Sequence, residues 1–433
     1  MVMVTSLFVG HGASADTCDQ ILNVERTNVA NAGSSQPASN GADSTRFEGA
    51  LVVPEVSDFS IGGARLRRPR CQGHYGSCWA HSRLGLLERR AKNHGVDIEL
   101  SHEFIIYHDL REKMKNQFKR ALAGLEYSAV RPGHFNYTAK DLFNRHGVIP
   151  SSEYVVLDTL KSPRVIDSIN ETLLRLADGM RDFSKYFSEI KENYDEASKI
   201  RADLDAMYRG MSARERDLKF DEYRELFTEI AYKQYEYKMA FGVALDDPFP
   251  ESFLGSPKGE EFLDLIDALV DEILQSRVGL PPRSFIWNGE SITPEEFLKL
   301  PMFQPSGTKT KTGVSPFGSS YKVIGKAHLF ETDIIETIAR GDELIVNIKW
   351  FFDFVDLSTG IYVLPETRRK PIWKHYRFGG HSMRIHDIIL NSQGGVSWLL
   401  LENSHGEGPR SPSYLRMDWS TFSEVVQELE VTR

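Results

Sequence analysis

The sequence predicts an α+β protein on three observations. Helical periodicity fills the first part of the globular region, strand-like runs fill the last part, and a charged helical segment with a seven-residue repeat lies between them. The chain has 433 residues, enough for two domains and a large core. Hydrophobic residues make up 41% and charged residues 26%, as in ordinary globular proteins.

Residues 1–58 read as a signal-like start followed by a disordered segment. Val2–Val9 is mostly apolar and Ala13-Ser14-Ala15 resembles a signal-peptidase site. No Lys or Arg precedes that short apolar stretch, so export and retention both stay open. Residues 16–50 are rich in Asn, Ala, Ser and Gly, and bury too little to offset the entropy of ordering. A cleaved pro-segment is the alternative. The three cysteines are Cys18, Cys71 and Cys78, too few for a disulfide framework or a Cys-rich zinc site. In an exported chain Cys18 and Cys71 would be free to pair, but nothing in the sequence establishes this.

Residues 59–160 read as a helical lobe. Trp79, Leu84, Leu86, Leu87 and Ala91 suit a largely buried helix from Cys78 to about Asn93, with Gly95 as its stop. A second helix is predicted over about 101–122, with Ser101 as N-cap. Residues 161–278 read as an inserted helical region. Leu176, Phe183, Ile190, Ala197 and Leu204 recur every seven residues, as do Met180, Phe187, Tyr194 and Tyr208. Gly210 breaks this seam, and Ser212-Ala-Arg-Glu215 has the form of a capping box before a second arm running to Phe241. Another helix is predicted over 258–275, ended by Gly279-Leu-Pro-Pro282. Residues 279–433 read as a β-rich lobe. Within it 300–320 is a loop, strands fall at Leu344–Ile348, Ser382–Leu390, Ser397–Leu401 and Val425–Val431, and short helices lie near 331–340 and 418–424.

The totals also exclude some functions. A formal charge of −9 argues against non-specific nucleic-acid binding, which rests on neutralising phosphates. No apolar run approaches the roughly 18 residues of a membrane span. No helical H-E-x-x-H occurs. Neither a metal nor an organic cofactor is expected.

The segment Gln72-Gly-His-Tyr-Gly-Ser-Cys78-Trp79 carries chemistry. A thiol reacts as its thiolate, and a helix N-terminus or a nearby imidazolium favours that form. Cys78 begins the predicted helix, so the helix start is expected to favour its ionisation. Gly73 and Gly76 allow a tight loop that aims the Cys78 N–H at a reacting carbonyl oxygen. Gln72 offers a neutral N–H₂ donor for an oxyanion. This motif resembles the papain-like cysteine peptidases, and the resemblance implies a two-lobed papain-like fold.

In that family a His and an Asn follow the Cys along the chain. Gly380-His381 begins one strand-like run, and Asn403-Ser404-His405-Gly406 follows another. The resemblance makes His381 the base and Asn403 the group that orients its ring. His386 lies on the same predicted strand at an odd spacing, hence on the opposite face. At His405 the family usually has Trp, so the His381–Asn403 bond is expected to be wetter. His81 also stands where an aromatic residue is usual, and reads as a packing difference.

Cys78 and His381 are about 300 residues apart, against ~130–150 in papain-type enzymes. Leu100-Ser101-His-Glu103, Arg145-His-Gly-Val-Ile-Pro150, Gly279–Trp287, Ile292–Phe297 and Tyr414–Trp419 resemble the bleomycin hydrolase and aminopeptidase C branch. That branch implies a cytoplasmic, hexameric peptidase acting near chain ends. Its members have a C-terminal arm that favours removal of N-terminal residues. This chain stops at Arg433, so that arm is expected to be missing and both amino- and endopeptidase action stay open. Pro132-Gly133-His134-Phe135 takes the place of the family's substrate-binding Gly-Gly stretch. Gly133 then either pairs with an extended peptide or forms a plain turn. The alternatives to a peptidase are a non-hydrolytic, chaperone-like ring and a thiol acyltransferase.

Overall fold

The computed structural model describes residues 52–59, 72, 76–131, 133, 136–156, 160–212, 215, 228, 232, 251–305, 316–317, 319–351, 354–356, 359–364, 378–404 and 413–431. The signal-like start, Cys18, Cys71, most of the second arm of the expected hairpin and His405 lie outside these residues. The chain divides into two compact units. One takes in residues up to 108, 132–163 and from 281 onward, and the other 109–131 and 164–280.

In the first unit, α1 spans Cys78–Asn93. Trp79, Leu84, Leu86, Leu87 and Ala91 are all buried, as their spacing predicts. Gly95 ends the helix in the left-handed region, at φ 81°. Its N–H donates to the Lys92 carbonyl (2.9 Å). Sequence reading did not anticipate the buried charges. The Arg83 guanidinium pairs with Glu430, and both side chains are almost wholly buried. Arg90 pairs with Asp342 at 2.8 Å. Such pairs add little net stability, yet removing one partner typically costs about 3–5 kcal/mol.

Ser101 caps α2 (His102–Leu122), its Oγ accepting from the Phe104 N–H at 3.2 Å. The helix α3 (Asn136–His146) closes at Gly147, whose N–H donates to the Phe143 carbonyl (2.8 Å). Gly147 has φ 69°, and a Cβ there would overlap the Pro294 carbonyl. Both strain and overlap then act at one site. Gly147→Ala is expected to lower unfolding free energy by about 3 kcal/mol or more, read from a urea melt.

The rest of this unit is β-rich. A two-stranded hairpin joins β1 (Phe285–Trp287) to β2 (Glu290–Ile292) through Asn288-Gly289. Thr293 then opens α6 (Pro294–Leu298) with a reciprocal capping box to Glu296. The other strands are β3 (Ser319–Lys322), β4 (Leu344–Phe351), β5 (Val355–Asp356), β6 (Ile361–Tyr362), β7 (Phe378–Leu390), β8 (Val396–Glu402), β9 (Tyr414–Asp418) and β10 (Val426–Val431). Among the described residues they form one sheet in the order β3-β10-β4-β7-β8-β9-β6-β5. Every pairing is antiparallel except β6 with β9.

Alternation along the sheet buries Val346 and Ile348 of β4, Met383 and Ile385 of β7, and Leu399 and Leu401 of β8 in one core. Ile334 and Ile338 of α7 (Glu331–Ala339) and Phe422 and Val425 of α8 (Trp419–Val425) complete it. Each such side chain contributes roughly 1.5–3 kcal/mol. The helix α1 packs against β7, the longest strand.

The second unit is helical. The helix α4 (Pro163–Gly210) runs 48 residues and ends at the glycine that breaks the repeat. Ser212 and Glu215 form the expected box, with the Ser212 N–H on Glu215 Oε2 (2.9 Å) and the Glu215 N–H on Ser212 Oγ (3.4 Å). Of the seam, Leu176 and Met180 are half-buried. The remaining seam side chains lie outside the described residues. The helix α5 (Pro257–Val278) starts at Ser256, whose Oγ accepts from the Gly259 N–H at 3.1 Å. It is tied to α2 by Arg111 and Asp271, 2.6 Å apart.

Candidate active site

Cys78 is the first residue of α1 and is partly buried. The helix can start there because Gly76 turns the chain at φ 64°. Ser77 then sits at the N-cap position, its carbonyl accepting from the N–H groups of Ala80 (2.9 Å) and His81 (3.0 Å). The Ser77 hydroxyl donates to the Gln72 carbonyl (3.2 Å) and so braces the loop before the nucleophile.

The expected effect of the helix start on the thiol is outweighed. Burial pushes the Cys78 thiol above its ordinary range. Backbone hydrogen bonds from Ser382, Trp79 and Cys78 itself, with the Arg83 charge, pull it down by less. Desolvation of the anion is the larger effect, so the helix alone does not ionise this sulfur. The hydrogen bond from Ser382 also places the sulfur beside the residue that follows His381.

His381 lies on β7 opposite Ile348 of β4, and is 6% exposed. Its Nε2 is 3.0 Å from Asn403 Oδ1. The Asn403 oxygen accepts, which fixes the Nε2–H tautomer and leaves Nδ1 for another partner. Asn403 follows β8 directly, and its N–H donates to the Ser413 carbonyl (2.8 Å). It is fully buried. Trp350 of β4 packs edge-on against the His381 ring, with centroids 4.7 Å apart. His405, from which a wetter bond is expected, lies outside the described residues. Trp350 supplies an aromatic wall to the His381 ring from a neighbouring strand, and the Asn403 carboxamide is itself out of water.

Gln72 is buried, and its N–H donates to the Ser404 carbonyl (2.9 Å). The Ser404 hydroxyl in turn donates to Gln72 Oε1 (2.7 Å). With the oxygen so held, the amide N–H₂ is turned away from Ser404. Cys78, His381, Asn403 and Gln72 are thus linked through neighbouring residues of one unit. Gly133 is not among the residues these contacts link. It precedes α3 with φ 94°, a conformation that favours glycine, and open space surrounds the position a Cβ would take.

His386 does not compete for the thiol. It falls where β7 shifts register against β8, and its Nδ1 is 2.7 Å from Glu343 Oε1. His81 stacks on His102, centroids 3.7 Å apart, consistent with a packing role. Sequence reading missed three contributors: Trp350, Ser404 as a brace for Gln72, and Arg384. Only Ser404 carried a signal, its place beside Asn403.

Arg384 on β7 makes ion pairs with Glu343 and with Glu402 of β8. Burial alone pushes the Glu343 carboxyl up, but Arg384, His386 and Arg89 together hold it down to about 2. A depressed carboxyl stabilises the fold at pH above its unfolded value, and that contribution is lost as pH falls through the folded value. The urea midpoint is expected to drop between about pH 4.5 and pH 2, and Glu343→Gln to flatten that drop.

Among solved structures, the fold is similar to that of PepW from Lactobacillus rhamnosis HN001 (DR20). The TM-score is 0.52, over 87% of this chain and 82% of that one, at 15% sequence identity. No family model and no curated protein matches the sequence. The likeness defines the fold: a papain-like α+β arrangement with a helical part and a large sheet. Among the described residues no helix is long and apolar enough to cross a membrane.

Proposed function

We propose that this protein is a cysteine-type peptidase that cleaves peptide bonds through a thioester on Cys78. The observation that carries this reading is the His381–Asn403 bond of 3.0 Å, with Ser382, the residue after His381, hydrogen-bonded to Cys78. A nucleophile, a base and an orienting amide are the minimum set for covalent acyl transfer. The fold likeness to PepW, an aminopeptidase C and bleomycin hydrolase-like cysteine peptidase, supports the same chemistry.

In this reading a proton passes from Cys78 to His381, and burial makes that transfer dependent on the imidazole. The sulfur attacks the peptide carbonyl. Gln72 N–H₂ and the Cys78 backbone N–H hold the oxygen as it gains charge. The C–N bond breaks, and His381 gives its proton to the leaving amine. Water, deprotonated by His381, then adds to the thioester. The C–S bond breaks, releasing the carboxylic acid and the free thiol. Gly133, with open space around the position of a Cβ, is the candidate for pairing with an extended substrate.

The test is mass spectrometry of a peptide library incubated with the full chain. Shortened products that Cys78→Ala does not generate are expected. Loss of single N-terminal residues would place the activity with the aminopeptidases, and internal cuts with the endopeptidases. Intact peptides, with Cys78 nonetheless labelled by a thiol reagent, would sink the hydrolytic reading. Amide products formed with an added amine, in place of acids, would point to acyl transfer.

A further inference from the structure

We infer that Arg384 is a positioning residue that sets the distance between His381 and Asn403. The inference rests on the proposed peptidase site and deepens it. Three contacts carry it. Arg384 lies three residues after His381 on β7 and is in register with Glu402 of β8. Glu402 directly precedes Asn403, so the Arg384–Glu402 ion pair is the cross-strand link beside the His381–Asn403 bond. The other side of the guanidinium holds Glu343, at the foot of β4, which also takes His386 Nδ1.

The same guanidinium lies flat on α1. A Cβ on Gly85 would sit 2.6 Å from Arg384 Cζ, so only glycine admits this approach. Gly85 is two turns along α1 from Cys78. One side chain therefore touches the helix of the nucleophile and holds the strand of the base to the strand that leads into the orienting amide. Nearby, Ser82 Oγ and Ser382 Oγ are 2.8 Å apart and pin the same two elements. Ser382, Arg384 and His386 line a cavity of about 450 Å³ together with Glu343, Glu402 and Ser404. The charges thus border a polar space and not the apolar core.

A residue that only stabilised the fold would not change how much Asn403 matters. A positioning residue would, because Asn403 acts only when placed. The experiment is a double-mutant cycle on the full chain, with Arg384→Gln, Asn403→Ala and both together. The readout is the rate of iodoacetamide labelling at Cys78 near pH 6, followed by peptide mapping. Each single change is expected to slow labelling about tenfold, and the pair to be slower than either by no more than about twofold. Factors that multiply to about a hundredfold, or an Arg384→Gln variant that labels at the native rate, would overturn the inference.

Arg384→Gln strands two buried carboxylates. If it does not fold, Gly85→Ala takes its place in the cycle, since it displaces the guanidinium while keeping every charge. The same two outcomes then decide. His381→Ala runs beside the cycle. If it labels like the native chain, the peptidase reading itself fails. If it is slowed while the cycle is additive, only the role of Arg384 is lost.

Discussion

His381→Ala is expected to silence Cys78 at neutral pH, not merely to slow it. In this protein burial has already raised the thiol above its ordinary range, and the helix start does not bring it back. The thiolate therefore depends on a neighbouring cation. In the proposed site that cation is the imidazolium of His381, whose strand neighbour Ser382 is hydrogen-bonded to the sulfur. Without it, desolvation is opposed only by the backbone hydrogen bonds and the Arg83 charge, which it outweighs, and the sulfur stays protonated near pH 7.

Two measurements follow from that sign. The rate–pH profile of Cys78 alkylation in the native protein should hold a plateau on the acid side of pH 7. In His381→Ala it should collapse to one alkaline limb, centred above the ordinary thiol range. Peptide hydrolysis, which also needs the imidazole as proton donor and base, should fall by about 10⁴-fold or more. Asn403→Ala should fall between the two, because the ring remains but loses its fixed tautomer. Alkylation of His381→Ala at the native rate near pH 6 would show that the imidazole does not govern the sulfur.

How much of this was legible can be argued from particular residues. The α1 boundaries were, because apolar spacing and Gly95 are local signals. So were Ser101 as a cap, Gly210 as a break and the Ser212–Glu215 box. The hairpin β1–β2 was missed although Asn288-Gly289 is a strong turn signal, because strands of three residues show no period. The strand β3 begins in the last two residues of a stretch read as loop, and β9 has too little alternation to stand apart from its neighbours.

At the site, Cys78, Gln72, His381 and Asn403 were legible through a family pattern. Their supports were not. Arg83 finds Glu430 and Arg90 finds Asp342 across hundreds of residues, and a charged side chain on a helix gives no local sign of burial. Trp350 reaches His381 only through the β4–β7 register. The thiol's upward shift was also invisible, since desolvation depends on what packs around the helix start and not on its sequence.

Gln72→Ala is expected to separate the two halves of the chemistry. Alkylation of a thiolate forms no oxyanion, so its rate and pH profile should stay native. Peptide hydrolysis does form one, and losing a single donor typically costs about 2.7–4 kcal/mol, or 10²–10³-fold in kcat. The buried side-chain amide is already oriented by Ser404 Oγ on its oxygen, and the Gln72 backbone N–H donates to the Ser404 carbonyl. Little reorganisation is left for the transition state, which places the effect in kcat and leaves KM nearly unchanged. Ser404→Ala should show a weaker form of the same split, because the Gln72 backbone keeps its tie to residue 404 while its side-chain amide loses its rotational restraint. Gln72→Glu should be worse than Gln72→Ala on both readouts. It presents a carboxylate to the developing oxyanion and disfavours the Cys78 thiolate as well. An alkylation rate that falls in step with hydrolysis in Gln72→Ala would mean that this side chain holds the loop in shape and does not act on the reacting oxygen.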